Sequence, residues 1–162
     1  MKKRSKGSPQ NRRTRGVSRM NAGMNLIFSK QGMDDTQRNT LGIAYHVALS
    51  QIERGHGDET HFSTLACAMN IGIVLAESGA GAESIDAFKG AIQALVRMRD
   101  RADKTGRWGL DGDGIVDLRL AVSLHDSQLE ICSRRMVMAA RDEVHRRIEA
   151  GTVFKRNEEV EA

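Results

Sequence analysis

From residue 34 to residue 151 apolar side chains recur at every third or fourth position, in five runs separated by short breaks. That spacing keeps one face of a helix apolar, whereas a half-buried strand repeats every second residue. The single proline and the six aromatics, set against many Ala, Leu, Ile, Met, Arg and Glu, point the same way. Most of these abundant residues lose little rotamer freedom in a helix. The chain is therefore expected to be all-α, a compact one-domain bundle of about five helices joined by short loops.

The run Leu41, Ala44, Tyr45, Ala48, Leu49 and Ile52 predicts a helix that starts after Asp34, Asp35 or Thr36 and runs to Arg54, ahead of Gly55. Asp58 or Thr60 can cap a second helix ending near Ser78. Phe62, Leu65, Ala66, Met69, Ile73 and Ala76 form one of its faces, while Cys67, Ile71, Val74 and Leu75 cover much of the rest. A helix apolar nearly all round belongs at the centre of a bundle. Beyond Gly79 to Gly81, the third helix carries Ile85, Phe88, Ile92, Leu95, Met98 or Arg99, and Ala102, closed by Lys104 and Gly106. A turn-rich linker, 107–114, leads to a fourth helix capped by Asp113, with Ile115, Leu118, Val122, His125, Leu129 and Cys132 on its stripe. Ser133 caps the last, which carries Val137, Ala140, Val144 and Ile148 and stops at Gly151.

Charge divides the chain more sharply than its net value of +4 suggests. Residues 1–33 hold nine of the 25 Lys and Arg and no acid, leaving sixteen bases against 21 acids beyond them, a body of about −5. Residues 1–19 lack apolar periodicity and their like charges repel, so residues 1–33 are expected to be a flexible, disordered basic arm with a transitional segment from Met20 to Met33. There Met24, Leu26, Ile27 and Phe28 can pack as a short turn or strand onto the body. The helical domain is expected over 34–151, with 152–162 a frayed acidic tail. No apolar run approaches the roughly 20 residues that span a bilayer, and the basic N-terminus leads into no apolar signal core. A cytoplasmic protein without membrane contact is expected, with Cys67 and Cys132 as buried reduced thiols.

Several short patterns invite chemistry. His125-Asp126 resembles the paired ligands of the all-helical metal-dependent phosphohydrolases, with His46, His56 or His61 upstream and Asp142 downstream as the remaining candidates. Neighbouring helical residues point about 100° apart, however, and His125 lies mid-stripe, where a hydrogen-bonded core histidine fits better. Asp111-Gly112-Asp113-Gly114 resembles part of a calcium loop, but aligning Gly114 with the loop glycine puts Gly109 and Leu120 where oxygen ligands are needed. Leu41-Gly42-Ile43 resembles a helix-turn-helix turn, yet Arg38 replaces a small apolar residue and no apolar first helix precedes it. With Tyr45 it also opens like a tetratricopeptide repeat, which Arg54 and Asp58 then break. Trp108, the only tryptophan, is expected to pack over one end of the bundle. No phosphate-cradling glycine loop, nucleophile elbow or paired cysteine cluster occurs, so no enzyme, cofactor or metal site is expected.

Lys2-Lys3-Arg4-Ser5-Lys6 at the start, Gly106-Arg107-Trp108 before the fourth helix and His125-Asp126-Ser127-Gln128-Leu129 within it carry a resemblance. On these motifs the chain is similar to a family of small helical proteins encoded by phages, prophages and other mobile elements of proteobacteria, some of them labelled Fis-type transcription regulators. The likeness covers about residues 40–145. It implies an accessory protein of a mobile element. A Fis-type DNA-binding unit would sit at the C-terminus, where this chain offers only the amphipathic helix from Ser133 to Gly151, and the resemblance transfers no site residue.

The first functional expectation is a non-enzymatic accessory or regulatory protein that meets DNA or RNA through phosphate contacts from Lys2, Lys3, Arg4, Lys6, Arg12, Arg13, Arg15 and Arg19. The alternative is a protein-interaction module that modulates a host protein through the acidic helical body, with self-association as another way to close the apolar second helix. A metal-dependent phosphohydrolase using His125 and Asp126 is the remote third.

Overall fold

The computed structural model describes residues 35–152, with side chains from residue 42 onward. Among them the protein is an all-α bundle: α1 (Asp35–Glu53), α2 (Glu59–Glu77), a 3-10 turn (Ala82–Ser84), α3 (Ile85–Thr105), α4 (Gly112–Ile131) and α5 (Arg134–Glu149). The arm over 1–33 and all but the first residue of the acidic tail lie outside the described residues.

Helix α2 packs against all four of the others, and its buried residues cover its whole circumference. From Ile71 to Ala76 six consecutive residues are buried, as the nearly continuous apolar sequence requires. The other helices each turn one stripe toward it: Tyr45, Ala48, Leu49 and Ile52 from α1, Phe88, Ile92, Leu95 and Met98 from α3, Leu118, Val122 and Leu129 from α4, and Val137, Ala140, Val144 and Ile148 from α5. Of the two neighbours at the end of the α3 stripe, Met98 is fully buried while Arg99 stays exposed, its guanidinium over the Phe62 ring. Both thiols are buried. Burial pushes Cys67 up to about 12, with Arg141 opposing, and raises Cys132, so both stay protonated.

Three of the helix starts, those of α2, α4 and α5, carry side-chain caps. Asp58 accepts from the N–H of His61, three residues on, and Ser133 accepts from the Met136 N–H. The cap of α4 is Asp111 rather than Asp113: the Asp111 carboxylate accepts from the Gly114 N–H at 2.7 Å, and Asp113 falls inside the first turn. Tertiary contact selects between the two acids, because Arg97 of α3 donates through Nε to Asp111 at 3.1 Å. Those contacts hold its carboxyl below the ordinary carboxylate range. A short 3-10 turn, absent from the periodicity, precedes α3.

The α3–α4 linker folds back over the α1–α2 turn, where Gly57 and Trp108 form an isolated antiparallel bridge. A Cβ on Gly57 would stand 2.5 Å from the Trp108 carbonyl oxygen, so this approach requires glycine. Trp108 is half-buried with its ring 5.4 Å from Phe62, packing over that end of the bundle as expected.

Candidate functional site

Helices α1 and α4 run antiparallel. His46 meets Asp126 near one end of the pair, and Glu53 accepts from Arg119 Nε at 2.8 Å near the other. Between the two helices, at the end that holds the start of α1, lies a groove of about 720 Å³ lined by Gly42, Ile43, Tyr45, His46, Asp126, Leu129 and Glu130. Asp126 is its centre. One carboxylate oxygen accepts from the Tyr45 hydroxyl at 2.6 Å and the other pairs with His46 Nε2 at 2.8 Å. Tyr45 comes from the buried stripe of α1 and His46, one residue later, turns outward, so a single carboxylate on α4 catches both. Burial, reinforced by the Asp126 carboxylate, raises the Tyr45 phenol and keeps it neutral, a donor rather than a nucleophile.

His125, next to Asp126, points the opposite way. It is 1 % exposed, with its ring 5.4 Å from Tyr45 and edge-on to Phe88 at 6.3 Å. Its Nδ1 lies 3.1 Å from Gln128 Oε1, while Gln128 Nε2 donates to the carbonyls of Gly72 at 3.0 Å and Ala80 at 2.8 Å. His125 therefore belongs to a buried polar network that ties α4 to α2 and to the turn after it. Desolvation lowers its pKa, against the opposing pull of the Gln128 hydrogen bond, and the ring is held neutral.

The phosphohydrolase pattern is thus split. Asp126 meets His46, one of the upstream candidates, but binds it directly, and His125 faces the core. His61 pairs with the helix cap Asp58, and Asp142 pairs with Arg141. Among the described residues no three His, Cys, Asp or Glu side chains converge in a way that could hold a metal ion. The linker acids do not form a calcium loop either, since Asp111 caps α4 and Leu120 is exposed on its surface. Leu41-Gly42-Ile43 lies within the continuous α1, where a helix-turn-helix would need a turn. Chemically, the Tyr45-His46-Asp126 cluster is a hydrogen-bonded pin between two helices, bordered by an open apolar edge at Ile43, which is 63 % exposed.

The arm residues Lys2, Lys3, Arg4, Lys6, Arg12, Arg13, Arg15 and Arg19 lie outside the described residues, so their placement relative to this groove is not part of the structure. Gln128 is a buried structural polar residue that the apolar pattern alone does not single out. The available signal was its position three residues after the mid-stripe His125, on the same helix face. Among the described residues no helix is long and apolar enough to cross a membrane. No protein-family model matches the chain, and neither a curated protein nor a solved structure does.

Proposed function

We propose that the protein is a non-enzymatic, nucleic-acid-associated accessory or regulatory protein, its basic arm contacting phosphates and its helical body acting as a stable carrier. The observation that carries this reading is the segregation of charge: nine Lys or Arg and no acid in residues 1–33, against a body of about −5. Clustered cations on an arm neutralise phosphates and release counterions without a folded groove, whereas an acidic body repels the same polyanion. The use of the body's buried polar side chains supports it, since His125 and Gln128 are committed to holding helices together. The resemblance to phage and mobile-element proteins supports an accessory role for such an element.

The test is a fluorescence-anisotropy titration of labelled nucleic acid with the full chain and with a chain starting at residue 34, repeated over a range of salt. Binding that weakens steeply with salt and disappears with the arm is expected. Equal binding by the shortened chain removes the proposal.

A second reading, a module that modulates a host protein through its acidic body, is favoured by the groove beside Ile43, whose lining includes the carboxylates Asp126 and Glu130. Pull-down from host lysate after nuclease treatment separates the two, because a protein captured equally well with and without nuclease belongs to the second.

A further inference from the structure

Among the described side chains the exposed large apolar residues are not spread evenly over the bundle. Five of the six, Ile43 and Val47 of α1 and Val116, Leu120 and Ile131 of α4, lie on two helices, and the sixth, Met136, stands in the first turn of α5. Helix α3, by contrast, turns Asp86, Lys89, Arg97, Arg99, Asp103 and Lys104 to water and no large apolar side chain. A scattered exposed valine needs no account, but this segregation marks a contact surface. Neighbouring helical residues point about 100° apart, so Ile43 and Val47 share the side of α1 opposite its buried Tyr45, Ala48, Leu49 and Ile52. Val116 and Leu120 likewise share the side of α4 opposite Leu118, Val122 and His125. The two helices lie antiparallel, with His46 beside Asp126 and Glu53 beside Arg119. That register sets Val47 and Leu120 near the middle of their common outer face and Ile43 and Val116 toward its ends, an apolar stripe about 20 Å long that crosses from one helix to the other.

The surroundings of the stripe suit a second copy. Ser123 and Ser127 are the exposed residues of α4 beside it, small hydroxyls rather than long charged chains. The charges of the face are mixed in sign: His46–Asp126 and Glu53–Arg119 pair within it, and the exposed Arg54 and Glu130 stand toward its opposite ends. Apposing two copies therefore sets no block of like charge against itself. The twenty residues of α4 make the face about 30 Å long, and two adjacent helices make it about 20 Å wide. It offers about 600 Å² per copy and about 1,200 Å² for a pair, above the roughly 1,000 Å² that a specific interface needs and at the lower end of stable ones. A stripe crossing the middle of the face is also self-complementary, because a half-turn about an axis in the plane of contact lays the second stripe along the first. We infer that a second copy of this chain covers the outer face of α1 and α4, with Val47 and Leu120 at the centre of the contact.

Sedimentation velocity of the full chain, freed of nucleic acid and run from about 1 to about 500 μM, tests it, since an interface of this size is expected to give a monomer–dimer equilibrium in the micromolar range. Leu120→Lys and Val47→Lys change exposed positions and leave the core intact, which circular dichroism checks. Each is expected to weaken the dimer about tenfold or more by placing a cation at the centre of the contact, while Met136→Lys, away from the face, leaves it unchanged. The dimer is expected to survive about 1 M salt, which screens attraction between basic arm and acidic body but not apolar contact. A chain that stays monomeric over the whole range overturns the inference. So does a dimer that neither Leu120→Lys nor Val47→Lys weakens, that Met136→Lys weakens as much, or that salt dissolves. A micromolar dimer dissociates in a dilute nucleic-acid titration, so either outcome leaves the reading of the arm untouched.

Discussion

Gln128→Leu removes three hydrogen bonds from the interior while keeping a side chain of similar size in place. Gln128 is 2 % exposed, donates to the Gly72 and Ala80 carbonyls and pairs with His125 Nδ1. The Gly72 carbonyl keeps the partner that the i to i+4 pattern of α2 gives it. The Ala80 carbonyl lies beyond the last turn of α2, and it and the His125 ring nitrogen are left stranded. A buried polar group without its partner costs about 1–3 kcal/mol, so two of them, partly offset by the added apolar burial of leucine, give an expected loss of about 2–4 kcal/mol. That is a large share of the roughly 5–15 kcal/mol that holds a typical domain together. Equilibrium urea unfolding followed by far-ultraviolet circular dichroism measures it, with the denaturant slope unchanged so that only the midpoint moves. A variant within about 0.5 kcal/mol of the parent chain would refute the reasoning, because a loss that small is what an exposed surface site gives.

Two further outcomes follow from the same core. Desolvation lowers the His125 pKa below its ordinary 6.5, so the unfolded chain binds this proton more readily than the folded one. The stability His125 contributes is fully present above pH 6.5 and falls as the pH drops below it, by at most about 1.4 kcal/mol per pH unit. Unfolding midpoints between about pH 7.5 and 5 should show this decline, and His125→Gln should flatten it; a decline identical in the variant assigns it elsewhere. At Gly72 an added methyl would stand 2.6 Å from Phe88 Cε1, inside a ring that is fully buried. Gly72→Ala should therefore destabilise by about 1–2 kcal/mol, the overpacking outweighing a propensity gain of about 1 kcal/mol, and Phe88→Leu should recover part of it by removing the ring edge. A net gain from the single change would show that Phe88 yields easily.

The fold was largely legible because periodicity and caps act locally. The 3.6-residue spacing of Phe88, Ile92, Leu95 and Met98 fixes the buried face of α3, and the run from Ile71 to Ala76 marks α2 as the central helix. His125 as a core histidine was legible for the same reason. The cap of α4 was not, since Asp111 and Asp113 are equivalent as local sequence and Arg97, from another helix, decides between them. The Tyr45-His46-Asp126 pin was not legible either. Its partners are about eighty positions apart, and the antiparallel packing of α1 on α4 brings them together. Gln128 lay hidden because its acceptors, the Gly72 and Ala80 carbonyls, are backbone atoms that leave no trace in residue type.

The central functional claim is that arm and bundle are separable, the first binding nucleic acid and the second carrying it. Residues 1–33 joined to an unrelated folded carrier that does not itself bind nucleic acid put this to the most direct test. Anisotropy titration against the same nucleic acid and salt should give an affinity within a few fold of the full chain, with the same salt slope. A fusion that fails to bind where the full chain binds would contradict it, and would place the nucleic-acid contact on the helical body.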